Sequence, residues 1–560
     1  VTVTEASFAT ALRTPFGSAL IAPGGPFEVV EEDVLGERMA VFRNRRRGTF
    51  DLLADATAAF GDNEYLVDET RRLTYDQHMA AVGHLAQVLR TEYGVRPGDR
   101  VGIDAANSLE WVIAFWAALA VGAIATPMNS YWSEAELAVG LELTTPVVVV
   151  GDRRRLDAVA AVAPGLRTLE LTADLCARRA AAPTPPVSAE DEPALIMFTS
   201  GTTGRPKAVA HSHRALVGTI QCNRFNTLVR AGAVPATPPP PPRVLNSPPM
   251  FHLSALFGSV LMFLSSGGTL VLRPGRFDEE RTLAAIEAER VTVWLSVGSA
   301  APRVAAHPRR DRFDLSSLQS VVVGGAPMSP ALKQQLCAAF PSAAAGFRMG
   351  YTSSEGGSIV ASIGGPDFVT HPESTGPIQD GLQVAIRDED GRDLPPGAEG
   401  MIHIRSAYTM LGYWNDPAAT AEAYGPGRWL TMGDVGRVEG GLLYVNSRAR
   451  DLIFVSAENV YPSEVENRLE EHPSVIESCV AGIDDAITGQ AVKAWVVLEP
   501  GAAVDVETLA EWCRGALPTY KVPTAWAVRT ERLPRNAAGK ILRSALLAEL
   551  SGSLSGGASG

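Results

Sequence analysis

Apolar and polar positions keep two rhythms in alternation from about residue 52 onward. Helical spacing of the apolar residues predicts a helix near 77–93, and the run from Arg100 to Asp104 predicts a strand. An amphipathic helix is expected near 108–120 and another apolar strand from Val147 to Val150. Leu195 to Phe198 reads as a strand buried on both faces, with a helix expected near 211–228. The alternation resumes with strands near 244–247, 269–273, 291–295 and 319–323, separated by helices near 278–289 and 330–339. Apolar strands alternating with helices mark parallel sheets covered on both faces, so the fold class is α/β. Near residue 375 the rhythm shortens: Leu382 to Arg387 and Gly400 to Arg405, punctuated by Asp-Gly and Pro-Gly, predict hairpins of a β-rich subdomain. Past about residue 450 the pattern resets. Two β-rich runs at 475–483 and 491–498, a helix at 505–516 and a strand near 524–529 predict a small α+β unit. Two domains are expected, residues 1–449 and residues 450–560.

Between these elements lie stretches with no clear period. Residues 1–47 read as irregular, and the basic run Arg43 to Arg47 as a solvated face or arm. Residues 179–193 read as a loop, VPATPPPPPR (234–243) as a rigid polyproline surface linker, and the glycine-rich tail as disordered.

Composition excludes several classes of function. A net charge of −13 argues against a nucleic-acid partner, which would be bound by surplus Lys and Arg. Cys176, Cys222, Cys337, Cys479 and Cys513 are scattered and form no CxxC pair, so reduced thiols are expected, without zinc or a disulfide framework. The chain shows no charged leader followed by an apolar run. Its most apolar stretch, Trp111 to Ala125, is short and interrupted by glycine, which suits a buried helix better than a membrane span. A cytoplasmic protein without membrane insertion is expected, and a homodimer is compatible with the sequence.

The chemistry starts at residues 194–209, ALIMFTSGTTGRPKAV. Thr199, Ser200, Gly201, Thr202, Thr203 and Gly204 supply hydroxyls and closely approaching backbone N–H groups, and Lys207 adds a positive charge, together the composition of a phosphate cradle. It is not a Walker loop: at the spacing where Gly-Lys-Ser/Thr would follow Gly201 stand Pro206, Lys207 and Ala208. TSGTTGRPK instead resembles the signature of the adenylate-forming superfamily, which includes acyl-CoA synthetases, aryl-CoA ligases, luciferases and the adenylation domains of peptide synthetases. Further strings resemble that superfamily in the family order, over roughly residues 50–550. Met410 to Thr420 and Phe313 to Pro327 are most similar to bacterial medium- and long-chain acyl-CoA ligases.

The resemblance implies roles residue by residue. Gly324, Gly325, Ala326 and Pro327 would line the adenine site, and Tyr351 would pack on adenine. Ser354 would meet a phosphate and Glu355 would hold Mg²⁺, for which one carboxylate beside a triphosphate suffices. Asp434, in WLTMGD, would accept the ribose hydroxyls, and Arg448 would contact the ribose. Arg450 would be the pivot between the domains. Lys540, in LPRNAAGKILR, would be the catalytic ammonium that favours charge building up on the α-phosphate. His252, in PPMFH, would flank the acyl pocket and the phosphates, and Thr199 would belong to the catalytic set. His211 and His213 receive no role.

Departures from the family pattern bear on the substrate. Met349 stands where relatives carry Asn or Gln. Thr352 and Ser354 replace Gly and Thr, and a side chain at Thr352 narrows the acyl channel, whereas the small residues around Ser299 widen it. Ser456 and Ala457 replace the glycines that line the acceptor tunnel in relatives using coenzyme A. The expected activity is adenylation of an oxyanion by ATP and Mg²⁺, giving pyrophosphate and later AMP, followed by transfer to coenzyme A. The small-molecule substrate would be a carboxylic acid. Two alternatives stand beside an acyl- or aryl-CoA ligase: a diazotase that adenylates nitrite for an aryl amine, and a nucleotide-binding pseudoenzyme, against which Glu355, Asp434, Arg448 and Lys540 together argue.

Overall fold

The computed structural model describes every residue except 1, 187–188, 201–205, 298–299, 325–327, 329, 449–450, 456–457, 486–488, 503, 536–539 and 555–560. Over the described residues the strands assemble into five sheets. One large sheet sets Thr168–Glu170, Val148–Gly151, Arg100–Asp104, Ile124–Pro127 and Pro193–Ser200 side by side and parallel. It continues antiparallel through Pro206–Ser212 and Gly412–Tyr413. A second large sheet runs in the order Ala361–Gly364, Arg348–Tyr351, Ser320–Gly324, Val293–Val297, Arg243–Asn246, Thr269–Leu272, Glu64–Val67 and Arg72–Thr74, parallel apart from its edge strands.

A third, antiparallel sheet joins Gly376–Pro377, Leu442–Arg448, Trp429–Glu439, Gly400–Arg405 and Gln383–Arg387. Past residue 450, Glu458–Val460, Ile453–Val455, Gly489–Leu498 and Val475–Asp485 form a separate sheet, with Ala525–Arg529 lying parallel along Gly489–Leu498. The helix Arg543–Leu554 packs against it.

Local sequence sets the helices. Thr74 and Gln77 close a capping box at the start of the helix Tyr75–Thr91, and Ser108 accepts from the Trp111 N–H to begin Leu109–Ala120. That second helix is not amphipathic as expected, because every residue from Leu109 to Ala120 is buried. It lies inside the main core with Tyr75–Thr91 packed over it, so no face meets water; its single carboxylate, Glu110, is met by Arg71.

Two further expectations change. The helix predicted from residue 211 begins at His213, because Pro206–Ser212 turns back as a strand along Pro193–Ser200. The N-terminal segment is not irregular either. Val29–Val34 and Glu37–Phe42 form a hairpin, and Arg45, from the run read as solvated, has a side chain only 1% exposed. Its guanidinium lies 2.6 Å from Glu32 and 2.8 Å from Glu190, and Arg214 reaches the same Glu190 at 2.7 Å. The network ties the hairpin to the segment that leads into Pro193–Ser200. The polyproline tract runs exposed between the helix ending at Ala231 and the strand starting at Arg243.

Candidate active site

The site assembles where the edges of the two large sheets meet the antiparallel subdomain. Thr199 and Lys207 are cross-strand partners on the hairpin formed by Pro193–Ser200 and Pro206–Ser212, and Ser200 faces Pro206. A two-stranded frame thus fixes both ends of the predicted cradle. Gly201, Thr202, Thr203 and Gly204 lie outside the described residues. The Lys207 ammonium sits over the ring of Tyr413, 4.6 Å from its centroid. Tyr413 in turn donates its phenol hydrogen to Glu355 Oε1 at 3.0 Å. Burial and the neighbouring carboxylate raise the phenol above its ordinary range, which keeps the hydrogen on the oxygen. The sequence singled out Lys207 and Glu355 but not the tyrosine between them; only the stretch containing it drew notice, as a family likeness.

Tyr351 ends the strand Arg348–Tyr351, and the chain then turns tightly through Glu355. The turn is held at several points. Ser353 Oγ accepts from the Gly356 N–H at 2.9 Å, Glu355 O accepts from Met410 N at 2.9 Å, and Ser354 O accepts from His211 Nε2 at 2.8 Å. His211 is therefore a neutral donor buried beneath the turn, and burial lowers its pKa to about 4. His213 is likewise buried, its Nδ1 meeting the Thr49 N–H at 3.1 Å. Both histidines hold the frame together. Thr352 donates its hydroxyl to Ser358 O at 2.7 Å, so this departure from the family pattern pins the loop.

The Tyr351 hydroxyl donates to Asp434 Oδ2 at 2.5 Å, joining residues 83 positions apart that were assigned to adenine and ribose. Asp434 is buried and is the cross-strand partner of Arg448, so Tyr351 from the second sheet meets two nucleotide candidates of the third. Gly324 closes its strand nearby in the second sheet. Among the described residues, a methyl group there would meet no atom within 4 Å, which leaves bare backbone beside open space. Gly325, Ala326 and Pro327 lie outside the described residues.

His252 lies against Phe251, with the two rings tilted and their centroids 4.5 Å apart. Among the described residues its Nε2 is buried without a partner, and its pKa falls to about 4, chiefly through burial and further through the positive charge of Lys540. Lys540 is exposed, carried from the C-terminal region into electrostatic range of His252. The segment bearing it is anchored on both sides. Arg535 pairs with Glu477, and Arg543 donates to Glu466 at 2.7 Å, Asp451 at 3.1 Å and Val480 O at 2.8 Å. Ser299, Arg450, Ser456 and Ala457 lie outside the described residues.

The donor set fits a divalent cation brought in by a polyphosphate. Among the described residues no group of three or more His, Cys, Asp and Glu side chains could hold a metal. Glu355 stands as a lone carboxylate with one oxygen taken by Tyr413, and a hard cation already coordinated by phosphate oxygens needs little more from the protein. Nor, among the described residues, is any helix long and apolar enough to cross a membrane.

A hairpin bearing Thr199 and Lys207, a Lys207–Tyr413–Glu355 cluster and a Tyr351–Asp434 pair lie in a chain whose relatives are adenylate-forming enzymes. The profile of the AMP-binding enzyme family matches residues 53–414, and that of the AMP-binding enzyme C-terminal domain matches residues 464–540. The chain belongs to the AMP-binding enzyme family and is an ATP-dependent adenylate-forming ligase. It is 36% identical over 473 residues to a feruloyl-CoA synthase of Amycolatopsis sp, covering 84% of this chain and 92% of that one. It is 33% identical over 485 residues to a long-chain-fatty-acid–CoA ligase of Mycobacterium tuberculosis, covering 85% and 92%. Among solved structures it resembles the amide bond synthetase McbA of Marinactinospora thermotolerans, with a TM-score of 0.79 and 28% identity over 90% of this chain and 99% of that one.

Proposed function

We propose that the protein adenylates an organic carboxylate with Mg·ATP, releasing pyrophosphate, and transfers the acyl group to the thiol of coenzyme A. What supports this reading is the Lys207–Tyr413–Glu355 cluster together with the Tyr351–Asp434 pair, and the positive charge of Lys540 felt at His252. The Lys540 ammonium would stabilise the charge that develops as the carboxylate oxygen attacks the α-phosphate. Asp434 and Arg448 would hold the ribose, Tyr351 and the Gly324 backbone the adenine, and Thr199, Lys207 and the cradle the phosphates. Mg²⁺ at Glu355 would neutralise the pyrophosphate leaving group. His252, neutral because its pKa is near 4, adds no positive charge to compete with Lys540.

For the second step, the unit from residue 450 onward would rotate about Arg450, withdraw Lys540 and open a path past Ser456 and Ala457 for the acceptor. The likeness to a feruloyl-CoA synthase at 36% identity favours an aromatic or arylalkenoic acid over a long alkyl chain. A second reading concerns the acceptor alone. The loop Val455-Ser456-Ala457 lacks glycine, and the resemblance to an amide bond synthetase supports an amine in place of coenzyme A.

Pyrophosphate release measured across fatty acids, aryl acids and nitrite, each with and without coenzyme A, tests these readings. An aryl acid that releases pyrophosphate and yields a thioester is expected. Turnover with an amine and no thioester would replace coenzyme A as acceptor. Release only with nitrite and an aryl amine would overturn the carboxylate, and ATP binding without release from any substrate would leave a nucleotide-binding protein.

A further inference from the structure

Tyr413 occupies a place in the site that no sequence motif assigned to it. It lies on the two-residue strand Gly412–Tyr413, paired antiparallel to Pro206–Ser212 with Val209 opposite Tyr413. The backbone around it is firmly fixed. Tyr413 N donates to Thr420 Oγ1 at 2.9 Å, Trp414 N to Ala208 O at 2.7 Å, and Leu411 N to Ala210 O at 2.8 Å. From this mount the ring lies beneath the Lys207 ammonium and the hydroxyl reaches Glu355.

A lysine and a glutamate converging on one half-buried side chain would ordinarily pair with each other. Here, among the described residues, neither Lys207 nor Glu355 takes part in an ion pair; the aromatic ring stands between them and satisfies each in part. The ring face attracts the ammonium without neutralising it. The hydroxyl occupies Oε1 of the carboxylate and leaves Oε2 for another partner. We propose that Tyr413 is a positioning residue of adenylation: it keeps the Lys207 ammonium and the Glu355 carboxylate apart, the one free for phosphate and the other for the divalent cation.

The inference rests on the proposed roles of Lys207 and Glu355, and binding measurements separate it from the reaction as a whole. Mn²⁺ would be titrated by electron paramagnetic resonance in the presence of a non-hydrolysable ATP analogue, and the analogue also titrated without metal. Tyr413→Phe keeps the ring and loses the hydrogen bond, so Mn²⁺ affinity should fall about tenfold, a charge-assisted hydrogen bond's worth, with metal-free analogue affinity within twofold of wild type. Tyr413→Leu removes the ring, letting Lys207 pair with Glu355, and both affinities should fall. Adding Glu355→Gln to Tyr413→Leu removes the competing carboxylate and should restore metal-free analogue binding while Mn²⁺ binding stays weak.

No recovery in the double variant would overturn the separating role. So would a Tyr413→Phe protein that binds Mn²⁺ as wild type does, or one whose two affinities fall equally along with its urea midpoint. Wild-type protein that binds neither the analogue nor Mn²⁺ would instead defeat the proposed function.

Discussion

His78 shows the cost of one buried titratable side chain. It is fully buried, among the described residues neither ring nitrogen has a partner, and its ring lies edge-on to Tyr65 with centroids 4.8 Å apart. Burial, aided by the charge of Arg179, lowers its pKa from 6.5 to about 3. Between those values the unfolded chain binds a proton that the folded chain refuses, so stability rises with pH through this window and is lost as pH falls below 6.5. The group should make the protein about 2 kcal/mol less stable at pH 5 than at pH 8. His78→Phe should flatten that slope and stabilise the fold by ~1 kcal/mol at pH 7, since no donor remains unsatisfied. Urea unfolding at pH 5, 6 and 8 checks both; a variant with the wild-type slope would show that another group governs it. Glu470 has the opposite sign. Burial, with the neighbouring Glu466, raises its pKa to about 7, so its contribution falls as pH rises from about 4.5 to 7. Glu470→Gln should therefore gain stability at pH 8 relative to pH 5, read as a shift in the urea midpoint.

Among the elements, what could be read in the sequence depended on how far the chain had to travel. Thr199 to Lys207 places its proposed chemistry in one contiguous string, and the strand before it is apolar throughout, so the strand Pro193–Ser200 that leads into it was legible. Even there the strand Pro206–Ser212 was missed. It is buried along nearly its whole length, so it shows no alternation, and its last residues had been read into the helix that starts at His213. Tyr413 and Arg45 acquire their meaning from partners 58 and 145 residues away, which no local pattern announces. The arginine run looked like any solvated basic stretch until the hairpin closed over it. Arg45→Ala should cost about 3 kcal/mol in urea unfolding, because Glu32 and Glu190 lose a buried partner, although Arg214 and Arg47 remain near Glu190. Arg46→Ala, in the same run, loses only an exposed pair with Asp55 and should change stability by less than ~0.5 kcal/mol. Equal effects of the two substitutions would contradict the buried role of Arg45.

Across the whole molecule, the proposed reaction would depend on a lysine carried by the C-terminal unit, past residue 450, whereas the other candidates of the site come from the chain before it. An ammonium on a loose loop would spend little time beside the phosphate, so the anchoring of its segment bears directly on rate. Arg543 is the central clamp. Glu466, Asp451 and the Val480 carbonyl all take its hydrogens, and Asp451 directly follows the residue at which the C-terminal unit is proposed to turn. The pair couples the lysine segment to the chain near the pivot, so both should move as one piece. Arg543→Met keeps the apolar stem but breaks all three bonds. Pyrophosphate release should then slow by about a hundredfold as Lys540 loses its fixed position, an orientation effect of the usual size. ATP affinity should stay within about twofold, since none of the described nucleotide candidates shares a hydrogen bond with Arg543. Lys540→Ala should slow release further, by several orders of magnitude, again at nearly constant ATP affinity. In the combined variant the Arg543 substitution should add almost nothing, because it acts only through the lysine. Additive losses, or an equal fall in ATP affinity, would mean that Arg543 supports the fold of the C-terminal unit and does not position Lys540.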